Sequence, residues 1–112
     1  MKLNIKATDL ELNDAMRTYI DEKIASISKW VKRYDGGNDL LLNLEIARTT
    51  KHHHKGDVFY AEATLQLPDR VLRAEVTDSD VKKALLKVRS MLKRDLRKYK
   101  TARIFKIRRK GR

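Results

Sequence analysis

Three consecutive histidines, His52, His53 and His54, are the side chains whose type best fits metal binding. Consecutive residues of an extended segment point in different directions, so one ion could hardly take all three. No Cys, and no Asp or Glu at the spacing of a zinc site, completes a ligand set. Lys51 and Lys55 flank the histidines, which indicates a cationic hairpin loop, either contacting a phosphate or a base or simply solvated. We predict neither a metal nor a cofactor.

Asp78 and Asp80 form a candidate carboxylate pair. General acid–base catalysis needs a pocket that shifts the pKa of one partner, whereas capping of a following helix explains both residues with no pocket. The sequence contains no Ser/His/Asp pattern, Gly-rich phosphate loop or dinucleotide fingerprint, and its Gly36–Gly37 pair fits a turn. We therefore predict no catalytic residues, no enzyme activity and no small-molecule substrate.

Residues 81–100, VKKALLKVRSMLKRDLRKYK, combine a helical apolar period with a run of cations. Apolar residues recur at steps of three and four, which predicts one core-facing side of a helix of about five turns. Like charges at i,i+4 destabilise a helix slightly, so a face that serves solubility alone would mix signs. Here Asp95 is the only acid, and we expect an anionic partner. The candidate binding residues are Lys82, Lys83, Lys87, Arg89, Lys93, Arg94, Arg97, Lys98 and Lys100.

The formal net charge of +12 is concentrated at one end of the chain. Residues 81–112 contain 15 Lys/Arg and one Asp, whereas residues 1–80 contain 12 Lys/Arg and 14 Asp/Glu. A basic element next to a nearly neutral body is typical of a polyanion-binding protein.

The aromatic residues favour one kind of nucleic acid over another. Single-strand binders present stacking aromatics on a sheet, and the strand region here offers only Phe59 and Tyr60. We predict that Tyr19, Trp30 and Tyr34 pack on or beside the core face of the first helix. The phosphate-rich surface of folded RNA is therefore the favoured partner.

A length of 112 residues fits one domain. There is no Cys for a disulfide framework, no apolar segment typical of a signal peptide, and no run near the roughly 20 apolar residues of a membrane span. We predict a cytoplasmic protein without a membrane partner.

The periodicities predict the order β-α-β-β-β-α, an α+β fold. The expected architecture is a mostly antiparallel four-stranded sheet with two helices packed on one face, as in double-stranded-RNA-binding domains. Asn13 is the expected N-cap of the first helix, and Pro68–Arg70 the expected hairpin turn. The predicted elements are Lys2–Ala7, helix Asp14–Arg33, Leu40–Arg48, Asp57–Leu67, Val71–Val76 and helix Val81–Lys100.

Residues 101–112, TARIFKIRRKGR, have no clear period and contain six basic residues. We predict a flexible cationic tail after a domain spanning residues 1–100. Ile104, Phe105 and Ile107 leave open an added strand or a contact with a partner.

The opening MKLNIKATDLELNDAMRTYIDEKI, the segment LRAEVTDSDVKKAL and the ending LKRDLRKYK resemble the short form of ribosome hibernation-promoting factors and YfiA-like ribosome-associated inhibitors. The resemblance covers about residues 1 to 100. Its most specific parts are Asp80 at the helix start, Ala84 within the helix, and Leu96 to Lys100.

The resemblance implies a stress or stationary-phase factor that inhibits translation. Such a factor binds the small ribosomal subunit between head and body, contacts its rRNA, and occupies the space of messenger RNA and of A- and P-site transfer RNA. We expect a monomer away from the ribosome. By position in the family pattern, the rRNA-facing residues are Lys83, Lys87, Lys93, Arg94, Arg97, Lys98 and Lys100, together with Lys23 of the first helix.

The chain departs from the family at two points. Lys82 and Lys83 stand where members usually carry an aromatic and small residues, and Asp95 is the only acid in a helix that usually has more. Long-type members continue into a second domain that pairs ribosomes. Neither promotion nor blocking of ribosome pairing follows from these residues.

Three alternatives stay open. A general double-stranded-RNA binder also uses lysines near the start of its last helix, which Lys82, Lys83 and Lys87 fit loosely. A metal-dependent ribonuclease built on His52, His53 and His54 lacks further ligands. A ribosomal or ribosome-assembly protein with a basic anchoring tail is the third.

Overall fold

The computed structural model describes residues 1–34, 40–49 and 58–110, with side chains through Arg103. Its elements follow the order β-α-β-β-β-α, and the predicted α+β fold class is confirmed. The segments Gly36–Gly37 and His52–His54 lie outside the described residues. The elements are β1 (Lys2–Thr8), α1 (Asp14–Val31), a 3₁₀ turn (Lys32–Tyr34), β2 (Leu41–Thr49), β3 (Val58–Gln66), β4 (Val71–Asp78) and α2 (Val81–Lys110).

The four strands form one sheet in the order β1-β2-β3-β4. Strand β1 pairs parallel to β2, from Lys2 opposite Leu41 to Thr8 opposite Ala47, while β2–β3 and β3–β4 are antiparallel. The predicted hairpin joins β3 to β4, with the Leu67 N–H donating to the Arg70 carbonyl at 2.8 Å. The mostly antiparallel sheet expected from the sequence is therefore correct.

Helix α1 begins at the predicted cap. The Asn13 side-chain oxygen accepts from the Met16 N–H at 2.8 Å, and Asp14 lies in the positive first turn. At the other end the Lys32 N–H donates to the Lys29 carbonyl, and this i→i−3 bond begins the tighter 3₁₀ turn. Helix α1 therefore ends two residues before the predicted Arg33.

One hydrophobic core lies between one face of the sheet and the two helices. Alternate residues of β2 and β3 form the sheet side of this core. Residues spaced by three and four on both helices form its helix side, as the period-2 and period-3.6 patterns require. Within the described residues, no helix packs against the opposite face of the sheet. The side chains at most 2% exposed are Ile20, Ile27, Val31, Leu42, Leu44, Ile46, Ala61, Ala63, Leu65, Ala74, Ala84, Leu85, Val88, Leu92, Leu96 and Tyr99.

Helix α2 is longer than the sequence analysis predicted. It continues through the segment that we expected to be a flexible tail and ends at Lys110, so it has 30 residues. The sequence has no Pro or Gly between Val81 and Lys110, and extending an existing helix costs far less than starting a new one. The expected flexible tail is therefore wrong for residues 101–110, and so is the alternative of an added strand there, while a partner contact by Ile104, Phe105 and Ile107 stays a prediction.

The Tyr99 hydroxyl fixes the far half of α2 to the β3–β4 turn. It donates to Asp69 Oδ1 at 2.6 Å and accepts from Arg103 Nη1 at 2.9 Å, while the ring meets Tyr34 edge-on at 5.2 Å between centroids. Burial and the bond to Asp69 raise the pKa of Tyr99 above its ordinary value, which keeps the hydroxyl protonated. The C-terminal end of the buried stretch of α2 is thus held against the β3–β4 turn.

Replacing Tyr99 with Phe is expected to lower the free energy of unfolding by about 1 kcal/mol, because the ring stays while two hydrogen bonds are lost. Urea unfolding followed by circular dichroism measures this. Tyr19→Phe is the matched control, since the Tyr19 hydroxyl makes no hydrogen bond among the described residues and its loss should change stability little. Equal destabilisation by the two changes would contradict the role given to Tyr99.

Candidate nucleic-acid interface

Asp80 and Asp78 organise the start of α2. Asp80 Oδ1 accepts from the Lys82 N–H at 2.8 Å and from the Lys83 N–H at 3.4 Å, so Asp80 is an N-cap. Asp78 Oδ1 accepts from the Asp80 N–H at 3.0 Å, and its other oxygen binds Lys87 Nζ at 2.6 Å. The bond from Lys87, and after it the bond from the Asp80 N–H, lower the pKa of the Asp78 carboxyl. Asp80 is therefore the helix cap that the sequence suggested, whereas Asp78 does not cap the helix itself but binds the N–H of the capping residue.

Asp78→Asn is expected to strengthen RNA binding by up to about fivefold, because it frees Lys87 from an ion pair that solvent around the exposed ammonium already weakens. The amide oxygen of Asn keeps an acceptor for the Asp80 N–H, so the helix start is preserved. Titration of a labelled RNA hairpin measures the change. Asp95→Asn removes the same charge from a side chain without an ion pair among the described residues; if it strengthens binding equally, release of Lys87 is not the cause.

The cations of α2 follow two rows along its solvent side. The core contacts of Ala84, Leu85 and Val88 fix which side faces water. Arg89 and Lys100 are half-buried, and the other candidate binding residues of α2 are exposed, namely Lys82, Lys83, Lys87, Lys93, Arg94, Arg97 and Lys98. At 3.6 residues per turn the row nearer α1 contains Lys82, Arg89, Lys93 and Lys100, the outer row contains Lys83, Lys87, Arg94 and Lys98, and Arg97 lies between them.

Lys23 of α1 joins the row nearer α1 through an aromatic ring. Its ammonium lies 5.2 Å from the Tyr19 ring centroid, and that of Lys82 lies 5.0 Å from the same centroid. Both distances are within the range of cation–π attraction. The structure thus brings Lys23 beside the start of α2.

A second aromatic, about three turns further along α1, joins the two helices. Lys93 Nζ lies 5.4 Å from the centroid of the half-buried Trp30 ring. Beside it is a shallow depression of about 500 Å³, lined by Lys29, Trp30, Lys32, Arg33 and Lys100. Sequence reasoning placed Trp30 on or beside the core face and omitted Lys29, Lys32 and Arg33. The run KWVKR at residues 29–33 was the signal that could have identified them.

Most of the candidate cations have no acidic partner. Among the described residues, Lys87 is the only one of the ten predicted RNA-binding side chains in an ion pair. The positive charge of the two rows is therefore not neutralised within the described part of the chain. Such a surface attracts a polyanion.

The uncovered face of the sheet has the opposite character, because its acids are matched. Glu45 lies 3.6 Å from Lys6, and Glu62 and Glu75 lie 3.1 and 3.2 Å from Arg73. The single proton of the Tyr60 hydroxyl is shared between Glu62 and, at 2.8 Å, Glu75, and burial together with these contacts raises the pKa of Tyr60. Tyr60 is thus held by hydrogen bonds within a polar network, and the neighbouring Phe59 is partly buried.

Metal-binding and membrane-crossing features are absent from the described residues. No three His, Cys, Asp or Glu side chains cluster within residues 1–34, 40–49 and 58–110. In the same ranges, no helix is both long and apolar enough to cross a membrane.

The family model for the sigma 54 modulation protein / S30EA ribosomal protein family matches residues 3–104, nearly the whole chain. The chain belongs to this family. The resemblance seen in the sequence is thereby confirmed. The match extends past Lys100, into the helical segment that sequence reasoning separated from the domain.

Two proteins similar in sequence to this chain are each named ribosome hibernation promotion factor. The protein from Lactococcus lactis is 31% identical over 101 residues, which are 90% of this chain and 50% of the relative. The protein from Deinococcus radiodurans is 29% identical over 108 residues, 96% of this chain and 53% of the relative. The chain therefore spans about half the length of these curated relatives.

Two solved structures have the same fold as this chain. The N-terminal domain of protein Y from Thermus thermophilus superposes with a TM-score of 0.68 at 23% identity, covering 88% of this chain and 99% of that one. A ribosomal subunit interface protein from Coxiella burnetii gives 0.67 at 18% identity, covering 90% and 99%. The α+β architecture is thus shared at low sequence identity.

Proposed function

We propose that this chain is a ribosome hibernation factor that inhibits translation by occupancy. In this proposal it binds the decoding region of the small ribosomal subunit through α2, and its body overlaps the positions of messenger RNA and of A- and P-site transfer RNA. No bond is made or broken, so the protein acts in the cytoplasm as a ligand of rRNA and not as an enzyme.

The observation that carries this proposal is the unneutralised cationic surface formed by the two rows of α2 and Lys23. Phosphate contacts supply much of the affinity of a protein for nucleic acid and set its orientation. Among the described residues only Lys87 of this surface has an acidic partner, so at most one internal ion pair is lost when the surface meets phosphates. The relatives named as hibernation factors suggest which RNA supplies those phosphates.

The rigidity of α2 supports the proposal in a second way. The helix is held by the buried Leu85, Leu92 and Leu96 and by the hydroxyl of Tyr99. Residues on a packed helix keep a constant spacing. Little conformational freedom is therefore lost when several of their side chains meet phosphates together. Steric inhibition requires such a fixed orientation, because a bound domain that changes its orientation would not exclude other ligands.

Cosedimentation with small subunits tests the proposal. The chain is centrifuged with small subunits and with whole ribosomes, either empty or carrying messenger RNA and transfer RNA in the A and P sites. We expect pelleting with the empty particles and at least about tenfold less pelleting with the filled ones. Binding that is indifferent to these ligands would contradict occupancy.

An excess of unrelated duplex RNA serves as the control for specificity. A factor directed to the decoding region should stay on small subunits when the duplex is added. Complete transfer to the duplex would instead support a general double-stranded-RNA binder.

A further inference from the structure

We propose that the depression beside Trp30 is a stacking site for one unpaired RNA nucleotide, whose flanking phosphates are held by the surrounding cations. This inference rests on the proposed RNA binding and adds a base-contacting position to it. The site lies between the last turn of α1 and the middle of α2, next to the cationic row nearer α1.

Trp30 lies beside the row of buried residues on α1 and is not part of that row. Ile20, Ile24, Ile27 and Val31 are buried at helical spacing, while Trp30 is half-buried at the margin of the core. A large ring at a margin has one part packed and another part within reach of a ligand. The position therefore offers an aromatic surface fixed by the core behind it.

The lining of the depression selects an anion. Four of its five lining residues, Lys29, Lys32, Arg33 and Lys100, are cations, and none of them forms an ion pair among the described residues. Its volume of about 500 Å³ is in the range of small-ligand sites. A ligand that suits both the ring and the cations is a flat aromatic group joined to phosphates, which is a nucleotide.

Lys93 marks the place where the base would stack. Its ammonium lies 5.4 Å from the Trp30 ring centroid, and within the described residues no acid holds it there. An exposed cation–π contact is weaker than stacking of a base on an aromatic ring. A base can therefore replace the ammonium, which is then free to meet a phosphate of the same strand.

Two RNA hairpins that differ by a single bulged adenosine test this site. Trp30 is the only tryptophan, so its fluorescence reports the site directly. We expect the bulged hairpin to quench this emission and to bind about tenfold more tightly than the fully paired one. Equal affinities with equal emission would overturn the stacking site. Failure of both hairpins to bind would instead count against RNA binding as a whole, and with it the proposed function.

Aromatic substitutions separate stacking from charge. Trp30→Leu should remove most of the preference for the bulge, measured with fluorescently labelled RNA, while Trp30→Phe should keep a smaller preference because a ring remains. Tyr60→Leu removes an aromatic from the uncovered face of the sheet and should leave the tenfold preference intact. Thermal unfolding followed by circular dichroism verifies that each variant is folded. A preference that survives Trp30→Leu would contradict the proposal.

Discussion

Replacing Lys93, Arg94, Arg97 and Lys98 with Glu is expected to abolish cosedimentation with small ribosomal subunits. Each reversal removes two charges, so the formal net charge falls from +12 to +4, and four cations that would meet phosphates become repulsive. A loss of at least about a hundredfold in affinity is expected, given the dependence of RNA binding on phosphate contacts. All four side chains are exposed, so the fold should persist.

A matched pair of double variants separates position from net charge. Arg94→Glu with Lys98→Glu reverses two charges of the outer row, and Lys2→Glu with Lys6→Glu reverses two on the uncovered sheet face. The first pair should weaken binding strongly and the second only slightly, although both have the same net charge. Equal weakening would mean that the whole molecule, and not α2, attracts the ribosome. Unchanged cosedimentation of the fourfold variant would remove α2 from the interface.

Affinity for the small subunit should fall by about a thousandfold between 50 and 200 mM monovalent salt at constant Mg²⁺. Six to eight cations meeting phosphates would release a similar number of counterions, and the slope of log K against log salt grows with that number. Equilibrium binding of labelled protein across a salt series measures the slope. An affinity nearly independent of salt would contradict binding through the cationic rows.

Neutral substitutions sharpen the same measurement. Arg94→Gln with Lys98→Gln should reduce the magnitude of the slope of log K against log salt by about two. Each cation that meets a phosphate contributes about one to that slope. Lys6→Gln, in a pair with Glu45 on the uncovered sheet face, should leave it unchanged. If the slope stays constant in the double variant, neither Arg94 nor Lys98 contacts a phosphate.

Local patterns in the sequence were sufficient to predict the elements and the capping residues. Alternation in Leu42, Leu44 and Ile46 predicts a half-buried strand, and the apolar spacing from Ala84 to Leu96 fixes which side of α2 is cationic. These features depend on residues close together in the chain, so their periods are visible in the sequence. The continuation of α2 to Lys110 was missed because residues 101–110 have no apolar period, although nothing in them stops a helix.

Contacts between distant segments could not be predicted in this way. The Lys93–Trp30 contact and the depression beside it depend on how α1 lies against α2, which the packing of the shared core decides. Lys87 was predicted only as an RNA-binding cation, and the structure shows that Asp78 lies 2.6 Å from it. A candidate interface is therefore predicted from sequence as a set of residue types, while pairings and depressions require the assembled fold.

The parallel pairing of β1 with β2 has a consequence for the order of folding. Lys2 lies opposite Leu41, 39 positions away, whereas Gln66 and Val71 pair across a short hairpin. Contacts between near neighbours in sequence form sooner than contacts between distant residues. Strands β3 and β4 can therefore pair early, whereas β1 cannot pair until β2 has been synthesised. During synthesis from the N-terminus, β1 and α1 therefore emerge well before their partners. Because α2 follows all four strands, a nascent chain cannot present the complete cationic surface to its own ribosome until the entire sheet has been synthesised.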